Sequence, residues 1–294
     1  MPTRAFRIAY DGTGYHGFQR QPDVPTVEDA IFGALRSLGA YDPDADREGP
    51  DRPAGYAAAG RTDAGVSALA QTIALVVPDW LTPRAFDADL PADVRAWAAA
   101  DVSPSFHATH DATRRAYTYH LYAPPADGDR TRTDDTPLDG GLGARVDDDR
   151  FHTACEALSG RHDVHNLTPD DRNTERDLTV EATRDGDVLV ITVSAGGFAR
   201  ELVRRVVSLA HAVGTGDETP EKIDRVLASD PLPGHEGIAP APPEPLVLTD
   251  VAYPDLEFTI DERAAESARA VFERRRIDRL TGARVAGQVA DGID

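Results

Sequence analysis

The sequence predicts an α/β fold built from two similar modules, on three observations. The order strand, helix, strand, strand can be read in each half of the chain. Gly, Pro and Asp-Gly signals break the apolar runs where such elements should end. A length of 294 residues with 40% hydrophobic content is compatible with one large or two ordinary packed domains. No apolar run approaches the ~20 residues a membrane span needs. Met1 to Phe6 leads straight into a strand-like run without the apolar core of a signal peptide. The expected location is therefore the cytoplasm, with no membrane partner. Cys155 is the single cysteine, which excludes an internal disulfide and any multi-cysteine zinc site.

In the first half, Ala5 to Tyr10 alternates as a strand. Gly12, Gly14 and Gly17 spell G-x-G-x-x-G after it, but a dinucleotide turn must open a helix, and Pro22 and Pro25 forbid one there. Thr26 is a good N-cap for a helix whose apolar positions run from Val27 to Leu38 and which Gly39 ends. Tyr41 to Gly55 reads as an acidic loop, followed by a short strand before Gly60 and a longer one through Val77. Leu81 to Ala100 reads as a short helical connection and Val102 to Ala108 as an extended crossing.

The second half opens with a strand, Arg114 to Tyr122, on which Tyr117 and Tyr119 share a face. Asp127 to Asp139 is a polar insertion. A helix follows with Phe151, Ala154, Cys155 and Leu158 on one stripe, and Leu178 to Thr183 pairs with Val188 to Ser194 across an Asp-Gly turn. Phe198 to Val213 is a helix whose core stripe is Leu202, Val206, Leu209 and Val213, with Arg200 and Arg204 stacked on another face. Such like charges call for an anionic partner. Thr219-Pro220 starts another helix, Leu246 to Tyr253 is a final strand, and the charged tail is expected to be helical around Ala264 to Leu280.

The formal net charge is -20, with the acids spread along the chain and Lys222 the only lysine. Near molar salt the screening length falls to ~3 Å, which relieves such self-repulsion, and the composition resembles that of proteins from salt-accumulating organisms. Phosphate binding rests on local rather than net charge, so arginine clusters carry the information. His107 with His110, and His162 with His165, have spacings a metal could use, but neither pair has a recognisable third ligand. No metal is expected.

The most informative stretch is Ala59-Gly60-Arg61-Thr62-Asp63-Ala64-Gly65-Val66, an acid presented between glycines with an arginine two residues before it. Alone, an aspartate on a glycine turn is usually a turn residue bonded to its own backbone. Here it is joined by Tyr10 to Gln21, Phe106-His107-Ala108, Arg115-Ala116-Tyr117-Thr118-Tyr119, Phe198 followed by Val203-Arg204, and Leu246 to Pro254. Together and in this order these motifs resemble the tRNA pseudouridine synthase A (TruA) family over roughly residues 5 to 254. Ser67, Leu202 and the Pro245-Leu246-Val247-Leu248 run depart from the family pattern at positions flanking the chemistry.

The resemblance implies two ferredoxin-like or RRM-like modules forming one continuous, mainly antiparallel sheet flanked by helices, with the active cleft between them, and a homodimer. The modules would be residues 1–108, carrying the acid loop, and 109–254, with 255–294 a charged helical extension. It implies an isomerase that turns uridine into pseudouridine at positions 38 to 40 of the tRNA anticodon arm, with neither metal nor organic cofactor. Asp63 would be the nucleophile, through attack at ribose C1′, attack at the base, or a glycal intermediate. Arg204 would pair with Asp63, and Tyr117 would stack on the uracil and could take part in proton transfer at C5. Arg61 would fill the space of the extruded base or grip its phosphate. Gln19, Arg20, Arg115, Arg200 and Arg205 complete the expected substrate contacts. One rival reading is an inactive structured-RNA-binding module of the same fold, which would not need Asp63. Another is a glycoside hydrolase, which requires a second carboxylate about 5 to 9.5 Å from the first; no motif nominates one.

Overall fold

The computed structural model describes residues 1–43, 51–126 and 143–293. Its strands are β1 (Thr3–Tyr10), β2 (Ala57–Ala58), β3 (Ser67–Val76), β4 (Val94–Val102), β5 (Arg114–Tyr122), β6 (Gly160–Asp163), β7 (Glu175–Asp185), β8 (Val188–Ala195), β9 (Leu246–Ala252) and β10 (Thr259–Ile260). Its helices are α1 (Val27–Ser37), α2 (Pro83–Phe86), α3 (Asp148–Leu158), α4 (Leu202–Thr215), α5 (Glu221–Val226) and α6 (Glu262–Asp291). Contacts divide the chain into two units. One comprises Met1–Arg61, Ala68–Asp111 and Asp255–Asp294, and the other Thr62–Ser67 and Ala112–Pro254. By packing, therefore, the acid loop lies with the second unit and the tail with the first. Among the described residues no helix is long and apolar enough to cross a membrane.

In the first unit the strands run antiparallel in the order β10, β4, β1, β3, with β2 on β3. Ala5, Phe6 and Ile8 of β1 are fully buried, and Phe86 packs edge-on against Phe6. Thr26 caps α1 as expected, its Oγ1 accepting the Asp29 N–H at 3.2 Å. The helical reading of Leu81 to Ala100 is corrected: α2 spans four residues, and the alanine-rich run after it is β4. Val94, Ala96 and Ala98 are buried while Arg95 and Trp97 are not, a period of two that alanine's helix propensity hides in the sequence.

In the second unit the antiparallel order is β9, β5, β8, β7, β6. The β7–β8 hairpin turns at Gly186, whose φ is +58°. The order β, α, β, β expected of both halves holds, as β1, α1, β3, β4 and β5, α3, β7, β8. The helix expected from Phe198 begins only at Leu202, because Glu201 sits in the left-handed region at φ +61° and breaks the run. α6 is longer than expected, at 30 residues. The Asp127 to Asp139 insertion and residues 44–50 of the acidic loop lie outside the described residues.

Candidate active site

Asp63 begins a tight turn in which its carbonyl accepts the Val66 N–H at 3.2 Å. Gly65 occupies the third position with φ +82°, as a type II turn demands. A side chain there would also collide, since a Cβ would lie 2.9 Å from Pro243 Cγ. Glycine is required twice, by backbone conformation and by close approach.

The cation comes from α4. Arg204 Nη1 lies 3.4 Å from Asp63 Oδ2. Its Nε donates to the Ala241 carbonyl, and the Ala241 N–H returns a bond to the Arg204 carbonyl at 3.1 Å. The segment Ala241–Pro243 thus braces both partners, one by hydrogen bonds and the other through Gly65. The segment lies in a proline-rich stretch whose letters signal no brace.

Asp63 is 34% exposed and Arg204 13%. Burial pushes the Asp63 carboxyl above its ordinary range; the charge and hydrogen bond of Arg204 pull it down without cancelling the rise, and Glu201 adds to it. Arg204 therefore offsets the cost of ionising Asp63 rather than removing it. A carboxylate with one long cation contact and little solvent keeps lone pairs free to react.

Tyr117 stands on β5 beside a bulge. Ala116 faces Asp250 on β9 while Tyr117 faces Leu248, which leaves Thr249 as the extra residue. Thr249 Oγ1 donates to the Ala116 carbonyl at 3.1 Å and fixes the bulge. The Tyr117 ring is buried and meets Phe198 edge-on, with centroids 5.0 Å apart. Burial raises its hydroxyl pKa to about 12, with the Asp63 charge contributing. The phenol is thus neutral near pH 7, which suits it to stacking or donating rather than to accepting a proton. Tyr119, two residues on, is fully buried, and its hydroxyl has no hydrogen-bond partner among the described residues.

The remaining nominated cations differ in availability. Arg61 is exposed and has no hydrogen bond or ion pair among the described residues. Arg115 is buried, donating to the Gly196 carbonyl at 2.7 Å. Arg200 faces Asp170 at 3.4 Å, and Arg205 holds Glu201 at 2.7 Å and the Ile238 carbonyl. Gln19 and Arg20 belong to the first unit; Gln19 is exposed, whereas Arg20 is bound by Asp29 at 2.8 Å and Asp51 at 2.9 Å. The second unit thus brings together Asp63, Arg204, Tyr117, Arg115, Arg200 and Arg205, and acids already hold Arg20, Arg200 and Arg205. The His107 and His110 rings stack with centroids 4.1 Å apart, and no group of three or more metal-ligating side chains occurs among the described residues.

A family description for tRNA pseudouridine synthase matches residues 154–254. The tRNA pseudouridine synthase A of Natronomonas pharaonis is 57% identical over 287 residues, which is 98% of this chain and 98% of that one. The Haloarcula marismortui protein of the same name is 54% identical over 99% of this chain and 100% of its own. That of Archaeoglobus fulgidus is 32% identical over 92% and 91% respectively. The two more similar relatives come from halophiles, in keeping with the acidic, lysine-poor composition.

Proposed function

The chain belongs to the tRNA pseudouridine synthase A family, and on that premise we propose that it isomerises uridines 38 to 40 of the tRNA anticodon arm with Asp63 as nucleophile. The observation that carries this reading is the pair Asp63–Arg204, a half-buried carboxylate on a braced turn held by one guanidinium. In the reaction the uracil N1–C1′ bond breaks and a C5–C1′ bond forms. C5 loses a proton and N1 gains one, so the product is an isomer and no redox partner is needed.

Each residue has a task in that scheme. Asp63 must be ionised to react, and Arg204 favours the ionised form by opposite charge while leaving one oxygen free. Tyr117 offers a fixed aromatic face for the extruded uracil. Arg61, exposed and uncommitted, fills the space vacated by that base or grips its phosphate. The buried Arg115 supports the end of β5 through Gly196.

The direct test is to incubate purified protein in high salt with an unmodified tRNA transcript, then map pseudouridine by chemical modification and primer extension. The expected result is new stops in the anticodon arm, lost in Asp63→Asn while tRNA binding is retained. Normal product formation by that variant would refute Asp63 as nucleophile, and an unmodified anticodon arm in the wild type would refute the site assignment.

A further inference from the structure

An acidic chain that binds a polyanion must present cations clear of its own acids. Most arginines nominated around the site fail that requirement. α6 meets it, with seven arginines against five acids, a net of +2 in a chain whose total is -20.

The two sides of α6 do different work. Ala264, Ala265 and Ala268 are buried against the first unit. Further along on the same side, Arg275 Nη1 and Arg279 Nη2 reach the nearly buried Asp11 at 2.7 and 2.6 Å, and Arg275 Nη2 lies 3.4 Å from Asp93. These contacts dock the helix on the loop that follows β1. At ~100° per residue, Arg274 and Arg284 fall on the opposite side and Arg269 on the flank between the two. All three are exposed and have no partner among the described residues. The acid between them on that side, Glu273, is held by Arg276 at 2.7 Å. From Arg276 to Asp291 every residue is exposed.

We propose that this outward side of α6 is a tRNA-binding surface on which Arg269, Arg274 and Arg284 grip the phosphate backbone of the substrate. The proposal rests on the tRNA reading above. Three guanidinium groups spread over ~22 Å of helix can address successive phosphates, and their planar forks match phosphate oxygens. A second copy of the chain is the less favoured occupant. The exposed Ile277, Leu280, Val285 and Val289 are spread around the helix and interrupted by charge, so they form no continuous subunit seam.

The test compares the wild type with Arg269→Gln/Arg274→Gln/Arg284→Gln, a change that preserves helix propensity, and with a charge-matched control, Arg150→Gln/Arg161→Gln/Arg172→Gln. Binding of tRNA transcript and turnover at saturating tRNA are measured across a potassium chloride series. The α6 variant should bind about tenfold or more weakly, with the slope of log K against log salt flattened by about 2 to 3 and with turnover unchanged; the control should match the wild type. Wild-type affinity and slope in the α6 variant would overturn the proposal. Equal weakening in the control would overturn it too, by assigning the effect to net charge. A smaller sedimenting mass for the α6 variant than for the wild type would overturn it in favour of a subunit contact. If the wild type itself fails to bind tRNA, both this proposal and the tRNA reading fall, whereas a binding-competent α6 variant removes this proposal alone.

Discussion

Asp11 and Asp63 are both carboxylates facing guanidinium groups, and they end in opposite electrostatic states. Asp11 is 4% exposed and accepts four hydrogen bonds, from Thr13 N and Oγ1 and from Arg275 and Arg279, all within 3.2 Å. Burial alone would raise its pKa, but the bonds from Thr13 and Arg279 outweigh that and hold it below the ordinary value. Asp63 is more exposed and has one cation contact at 3.4 Å, and its pKa is raised. The difference teaches how one pair of residue types serves two ends: a structural carboxylate is saturated with donors, while a reactive one is left under-coordinated.

The largest expected effect comes from making the same isosteric change at both acids. Asp63→Asn should lower turnover by roughly four orders of magnitude or more, as loss of a nucleophile does, with little change in unfolding midpoint. Asp11→Asn should do the reverse, costing ~1–3 kcal/mol of stability for a broken charged network while turnover at saturating tRNA stays within a few-fold. Denaturant titration and single-turnover assays on both variants would break the comparison if the two losses failed to separate.

Next in size is removal of the cation beside the reactive acid. Arg204→Leu should reduce kcat/KM by roughly 10²–10³ and shift the pH profile. Activity needs the carboxylate, so the rate falls as pH drops through the Asp63 pKa. With the pull of Arg204 gone, burial is opposed only by the smaller pull of Arg200, and the acid limb moves to higher pH. A profile whose limb stays in place, or a loss explained wholly by weaker tRNA binding, would refute the pairing role. A smaller effect is expected from Gly65→Ala, which forces an L side chain to φ +82° at a cost of ~1–2 kcal/mol and presses on Pro243. Turnover should fall about tenfold as Asp63 shifts against Arg204, and it should be only partly recovered by Pro243→Ala, which relieves the clash but not the backbone strain.

Much of this was legible in the sequence, and the exceptions have physical causes. Asp63, Tyr117 and Arg204 lie in one unit, whereas the motifs put Asp63 in the first module and the other two in the second; the cap at Thr26 and the Gly186 hairpin lie where their turn chemistry placed them. β4 was misread because alanine fills both faces of a strand as readily as those of a helix, so its period of two left no contrast in hydrophobicity. The brace at Ala241–Pro243 was invisible because it acts through a backbone carbonyl and a ring edge, which any irregular segment can offer. The late start of α4 follows from a non-glycine residue, Glu201, held at positive φ, and the sequence carries no glycine there to announce it. Arg20 and Arg200 are neutralised by partners up to thirty-one residues away in sequence, beyond any local pattern, whereas Arg205 is held by Glu201 four residues before it.

The smallest effect concerns the redundancy that makes Asp11 structural. Arg279 is 61% exposed and shares Asp11 with Arg275 and Thr13. Arg279→Gln should therefore cost less than ~1 kcal/mol, and less still in molar salt, where exposed charges are screened. The sign of its pH dependence is fixed by the lowered Asp11 pKa. A carboxyl whose folded value lies below its unfolded one contributes stability that is fully present above the unfolded value of ~3.9. That contribution is lost as pH falls through the folded value. The gap between wild type and Arg279→Gln should accordingly be open at neutral pH and close on acidification below about pH 4. A gap that persists there, or that widens with salt, would show that Arg279 supports α6 through the packing of its methylene stem rather than through Asp11. Asp11 would then lose its claim to be the saturated member of the pair.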